Sequence, residues 1–198
     1  DLLSTLPSRQ ISNGLCEALK MGATSDPELF ELFNISCRLN TSSVITDSQI
    51  FGKVAKIVPD DILLTSFSIL MARYKGELDL LINGAEKLTQ IKDGDKILIA
   101  EGCTHHRQCG DIGTQKLPKW LKEYSGKELN FKFTSGKDFP EDLTGISLVI
   151  HCGGCMLTER EMQYRRRFCE ENNVPITNYG TAIAEINGIL EKSLKPIK

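Results

Sequence analysis

Ile97-Leu98-Ile99-Ala100 is followed after two residues by Cys103-Thr104-His105-His106, and Leu148-Val149-Ile150 runs directly into His151-Cys152-Gly153-Gly154-Cys155. Both apolar runs are short and uninterrupted, the pattern of strands buried on both faces in a parallel sheet covered by helices. In such a sheet the C-terminal strand ends share one edge, and ligand sites form in the crevice there. Two groups of thiols and imidazoles, about 50 positions apart, each directly following a buried strand, are therefore expected at one edge.

Outward from these strands the chain alternates apolar runs with amphipathic stretches, the α/β signature. Pro27 to Phe33 predicts a helix with Asp26 as N-cap and Pro27 in its first turn. Ser43-Val44-Ile45-Thr46 predicts a strand, Ile50 to Val58 a helix stopped by Pro59, Ile62 to Thr65 a strand, and Ser66 to Tyr74 a helix, with a break at Gly76. A helix through Leu80, Leu81 and Leu88 follows, then an Asp93-Gly94-Asp95 turn. Lys116 to Tyr124 predicts a helix and Leu129 to Phe133 an alternating strand. Thr158-Glu159-Arg160-Glu161 reads as a capping box opening a helix to about Glu171. Val174 to Thr177 predicts a last short strand and Thr181 to Leu194 a final helix. The expected architecture is two small parallel-sheet domains with flanking helices, residues 1–74 and 75–198, with a metal site at the C-terminal strand ends of the second. The first part carries few elements for a self-sufficient sheet, so it is expected to pair with another chain or with a domain preceding it. The start, without Met, reads as a fragment boundary.

The chain has 198 residues, 40% hydrophobic and 25% charged, with a net charge of −2, ordinary for a globular protein and no pointer to nucleic acid or a membrane surface. No apolar run reaches the roughly 18 residues of a membrane span, and no signal peptide opens the chain. Seven cysteines cannot all pair within one chain. Cys16, Cys37 and Cys169 sit alone in helix-like stretches and read as core or surface residues. Cys103, Cys109, Cys152, Cys155 and all three histidines fall in the two motifs. That distribution predicts reduced thiols in a cytoplasmic compartment, and a metal.

Cys152 and Cys155 are spaced to reach one metal centre, and Gly153 and Gly154 allow a tight turn with amides able to donate to sulfur. The helix beginning after Thr158 turns its positive end towards these thiolates. Cys103 supplies a third thiolate. His105 and His151 stand evenly between fourth ligand and supporting group; His106 reads as supporting or exposed, Cys109 as a surface-loop thiol. Three thiolates with imidazoles suit a structural zinc, a zinc hydrolase with Glu101 or Asp111 as base, or a cubane iron–sulfur cluster, and softness does not separate these. A redox C-x-x-C is a further reading, opposed by the third cysteine and the histidines. Arg165-Arg166-Arg167 reads as a solvated helix face, with reception of an acidic partner as the alternative. Gly52-Lys53, Gly126-Lys127 and Gly136-Lys137 lack the Walker A context, so nucleotide hydrolysis by these residues is not expected. No H-E-x-x-H and no nucleophile elbow occurs.

Cys103-x-His105, 45 intervening residues and then His151-Cys152-x-x-Cys155 resembles the cluster signature of HydF, the FeFe-hydrogenase maturation GTPase family. The resemblance extends through Val44 to Gln49, Leu64 to Leu70, Ala72 to Gly76, Asp111-Ile112-Gly113, His151 to Met156 and Pro175 to Gly180, with a weaker echo at Leu6-Pro7 and Gln10. It implies a dimerisation domain in 1–74, a cluster-binding domain in 75–198, and a GTPase domain, with its GTP, outside this chain. It further implies a 4Fe–4S cluster on Cys103, Cys152 and Cys155 with an exchangeable fourth position filled by histidine, carboxylate or solvent. The expected role is that of a homodimeric scaffold and carrier, not an enzyme in itself. It would receive a di-iron precursor made with two radical-SAM maturases and pass it to apo FeFe-hydrogenase.

Overall fold

The computed structural model describes residues 43–46, 50–102, 111–154 and 157–197. The expected helix over Pro27 to Phe33, together with Cys16, Cys37, Cys103, His105, His106, Cys109 and Cys155, lies outside them.

The first elements are β1 (Ser43–Thr46), α1 (Phe51–Ile57), β2 (Leu63–Ser66) and α2 (Phe67–Tyr74). β1 and β2 pair in parallel, Val44 opposite Leu64 and Thr46 opposite Ser66. Ser66 is both the last residue of β2 and the N-cap of α2, its side chain accepting from the Ile69 amide (3.4 Å).

There follow α3 (Leu78–Glu86), a 3₁₀ turn (Lys87–Gln90), β3 (Lys96–Glu101), a π-helical turn (Ile112–Lys116), α4 (Leu117–Ser125), β4 (Asn130–Ser135) and β5 (Leu148–His151). The chain continues through α5 (Glu159–Glu171), β6 (Ile176–Asn178), α6 (Tyr179–Ile186), α7 (Leu190–Leu194) and a closing 3₁₀ turn (Lys195–Ile197). Strands β3 to β6 form a four-stranded, wholly parallel sheet in the order β4-β3-β5-β6, so the α/β expectation holds.

The apolar runs that decided the fold are buried on both sides. Ile97, Ile99, Leu148 and Ile150 pack with Leu117 and Leu121 of α4 and Ala182 and Ile183 of α6. Leu98, Ala100 and Val149 point the other way, to Leu143, Ile146 and Cys169 of α5. This alternation is the period of two that a strand imposes. Each fully buried Leu or Ile contributes about 2 kcal/mol. β4 is a half-exposed edge. The opposite edge, β6, is covered by α3: the Thr177 hydroxyl donates to the Leu81 carbonyl (2.8 Å). A Cβ on Gly84 would overlap the Ile176 carbonyl, so only glycine lets the helix lie this close.

Residues of β1 to α2 share a core with α6 and α7: Phe51, Leu64 and Ile69 pack with Ala184, Leu190 and Leu194. The expected single helix from Thr181 to Leu194 is two. α6 starts earlier, at Tyr179, because Asn178 caps it; Asn178 and Thr181 satisfy each other's amides in a capping box. It stops because Gly188 adopts φ +66°, with the Ile189 amide closing on the Ala184 carbonyl (2.9 Å) and that of Asn187 on Ile183 (3.1 Å), a left-handed glycine stop. Apolar periodicity alone does not register that stop.

Candidate metal centre

β3 leads to β4 on one side of the sheet and β5 leads to β6 on the other. The chains leaving β3 and β5 therefore diverge, and the crevice between them is the topological switch point where α/β sheets bind ligands. His151 and Cys152 of the second motif lie at this place, as does Gly102, which precedes Cys103 in sequence. Ala100 stands opposite His151 in register, and the ladder continues one step, the Cys152 amide donating to the Ala100 carbonyl (2.9 Å).

Cys152 is half-buried. Its Sγ accepts from the Gly102 amide (2.9 Å) and from the Gly154 amide (3.4 Å), and hydrogen bonds of this kind favour the ionised sulfur. A Cβ on Gly102 would come within 3.3 Å of Gly154 Cα and 3.0 Å of Leu157, so both strand-end loops pass through one narrow place. Gly154, at φ +63°, has the Met162 side chain of α5 packed on it, which brings the start of α5 against Gly154. A cavity of about 320 Å³ opens against Cys152 and Gly153, walled by Phe67 and Met71 of α2 and by Met162 and Arg166 of α5. A larger hollow of about 420 Å³, between α1, α4 and α6, is lined by Lys53, Lys56, Trp120 and Tyr124 and by no cysteine or histidine. The chemistry of the donor set therefore favours the smaller one.

His151 is fully buried, and both ring nitrogens are engaged. Nδ1 faces the Cys152 carbonyl (2.6 Å) and Nε2 faces the Arg165 guanidinium (3.0 Å). Arginine can only donate, so Nε2 accepts, and the proton sits on Nδ1. Burial above all, and then the cationic Arg165 and Arg166, hold its pKa down at about 4 against the bond to Cys152, which works the other way.

The arginine run is not the solvated face expected of it. Arg165 is completely buried, donating from Nε to Glu161 (2.8 Å) and from Nη2 to the Gly136 carbonyl (2.8 Å). Its guanidinium lies 4.9 Å from the Phe139 ring centre. Arg166 is nearly buried, paired with Glu77 and with Glu159 (3.1 Å); Arg167 alone of the three is exposed. The signal in the sequence was Glu161 four residues before Arg165, a pairing distance on one helix face. The Thr158 hydroxyl caps α5 by accepting from the Glu161 amide (3.2 Å), while the Glu161 carboxylate turns to Arg165.

Glu101 ends β3, largely buried, and accepts from the Tyr179 hydroxyl (3.3 Å). Burial, followed by Glu101 and Cys152, pushes the Tyr179 pKa up, so it stays a neutral donor. Gly113 packs on this pair so closely that a Cβ would strike both. Asp111 is the N-cap of the π-helical turn, accepting from the Thr114 amide (2.8 Å), which gives it a structural task. Cys169 is a buried core residue whose burial pushes its thiol up to about 12. Among the described residues no three His, Cys, Asp or Glu side chains converge as a complete metal-binding set; Cys103 and Cys155 lie outside them.

The fold is an α/β domain whose four-stranded parallel sheet has Cys152, its sulfur hydrogen-bonded, at the switch point. Residues 79–196 match the family model described as the hydrogen maturase F tetramerization domain, and residues 11–76 match that of the hydrogen maturase F dimerization domain. The chain belongs to the hydrogen maturase F family. It is therefore a hydrogenase-maturation protein with self-association domains. No curated protein matches it. No helix among the described residues is long and apolar enough to cross a membrane.

Proposed function

We propose that this chain is a cluster-carrying scaffold of hydrogenase maturation, in which Cys103, Cys152 and Cys155 hold a 4Fe–4S cluster and one iron keeps an exchangeable position. The observation that supports this best is the meeting of Gly102 with Cys152 and Gly154, since these glycines directly precede Cys103 and Cys155 in sequence. A structural zinc needs a closed four-ligand set, whereas a carrier needs three anchors and an opening. Three thiolates on a cubane of charge 2+ leave about −1, which amide donors and a helix N-terminus tolerate. When bound, the cluster supplies an iron at which cargo attaches and leaves. The chain's own residues anchor it, donate to its sulfur ligands and wall a cavity beside it. They carry and do not catalyse; the cargo is the di-iron precursor of FeFe-hydrogenase, received with the radical-SAM maturases and delivered to the apo-enzyme in the cytoplasm. His151, with both nitrogens engaged, serves as a supporting group, which leaves His105, a carboxylate or solvent for the fourth position.

Anaerobic reconstitution followed by iron, sulfide and zinc analysis tests this. Iron with matching sulfide is expected; zinc without sulfide would overturn it.

The self-association of the family is assigned here to a face of α2. Phe67, Met71 and Tyr74 lie at helical spacing and are 63%, 50% and 83% exposed, a stripe large enough to need a partner. Phe67→Asp with Met71→Asp is expected to lower the solution mass by sedimentation; an unchanged mass would remove this face from the interface.

A further inference from the structure

We propose that Arg165 is the positioning residue of this centre: by donating to His151 Nε2 it commits the imidazole to the Cys152 carbonyl and withholds it from the metal. The proposal rests on Cys152 being a cluster ligand. It stands on geometry that joins three elements. The guanidinium, with no exposed surface, reaches Glu161 in the first turns of α5, Gly136 in the loop leaving β4, and His151 at the end of β5. Phe139 covers one face of it. Every edge of the planar fork is thus used, and no other side chain presents donors in this arrangement.

The consequence follows from hydrogen-bond polarity. A guanidinium keeps its protons and has no acceptor. Nε2 of His151, 3.0 Å away, must therefore offer its lone pair, and the ring proton is placed on Nδ1, facing the Cys152 carbonyl at 2.6 Å. That bond fixes the peptide plane joining Cys152 to Gly153. The same short turn carries the Gly154 amide back to Cys152 Sγ. Arg165 thereby orients a sulfur it does not touch. It also occupies the lone pair with which this imidazole could bind iron, which leaves that position to His105, a carboxylate or solvent. A buried ion pair is a costly way to fill space, since apolar side chains of similar volume are often as stable. A buried guanidinium clamped on a histidine next to the C-x-x-C segment therefore points to a positioning task.

The test has two arms on the full chain. In metal-free protein, nitrogen-resolved NMR of the histidine rings, with His151 assigned by its loss in His151→Gln, is expected to show protonated Nδ1 and unprotonated Nε2. A protonated Nε2 in the unsubstituted protein would overturn the proposal, and this arm needs no Arg165 variant to fold. In reconstituted protein, Arg165→Met is expected to change the EPR signal of the reduced cluster, and Arg165→Lys, which keeps one donor, to restore part of it. An Arg165→Met spectrum identical to that of the unsubstituted protein would overturn the proposal. If the unsubstituted protein took up no iron, the cluster reading would fail while the first arm still decided the role of Arg165.

Discussion

Among the described residues two strand-to-helix junctions have no loop, and two others join elements several residues apart in sequence. β2 passes into α2 at Ser66, and β6 passes into α6 at Asn178, each a single residue that ends the strand and caps the helix. β3 ends at Glu101 and the next capping residue among the described ones is Asp111, and β5 ends at His151 and the next is Thr158. All four sit at C-terminal ends of parallel strands, so topology alone does not distinguish them. The long pair flanks the switch point, the one place where neighbouring chains diverge and leave room. There the chain gives up economical capping and places thiols, imidazoles and glycines instead. The comparison teaches that the tight junctions join strand to helix through a single capping residue, whereas the two cysteine–histidine motifs fall at the longer ones.

The sharpest break of that contrast is between thiols. Cys152→Ala is expected to remove nearly all iron and sulfide from reconstituted protein, while Cys169→Ala, in the core, leaves metal content unchanged; metal analysis of both decides it. Next in size, Gly84→Ala drives a Cβ into the backbone carbonyl of Ile176. It is expected to cost about 3 kcal/mol, the upper range for overpacking, measured by urea unfolding. Third, His151 ties a loose junction to pH. Its folded pKa, about 4, lies below the ordinary histidine value of 6.5, so the unfolded chain takes up the proton first as pH falls. Stability is full above the unfolded pKa and declines towards about pH 4, by roughly 3 kcal/mol at ~1.4 kcal/mol per unit; His151→Gln removes that slope in metal-free protein. Asn178→Ala is expected to cost about 1–2 kcal/mol and Ser66→Ala, whose cap bond is longer, about 0.5–1 kcal/mol, both without loss of iron.

The parallel sheet was legible because Ile97 to Ala100 and Leu148 to Ile150 are apolar throughout, a pattern only a doubly covered strand requires. The approach of Gly102 to Cys152 and Gly154 was legible for the same reason, since strand ends fix where the following segments begin. The task of Arg165 was not, because charge in a helix predicts solvent. Glu161, four residues earlier, is the local hint, but nothing local announces that Gly136 and His151, from two other segments, converge with it on a buried guanidinium. The division of the last helix was missed because Asn187-Gly188 interrupts a pattern whose apolar period survives on both sides. The tight cap at Asn178 was obscured in the same way, its Thr181 partner being read as the helix start.

The account rests on the two loops meeting around one iron centre, and an anaerobic crystal structure of the reconstituted chain, with anomalous scattering recorded at the iron edge, tests that directly. Iron in bonding contact with Cys152, enclosed by the loops that begin at Gly102 and Gly154 and ligated by Cys103 and Cys155, is the predicted result. Iron bound elsewhere, or Cys103 turned away from the Cys152 sulfur, would contradict it.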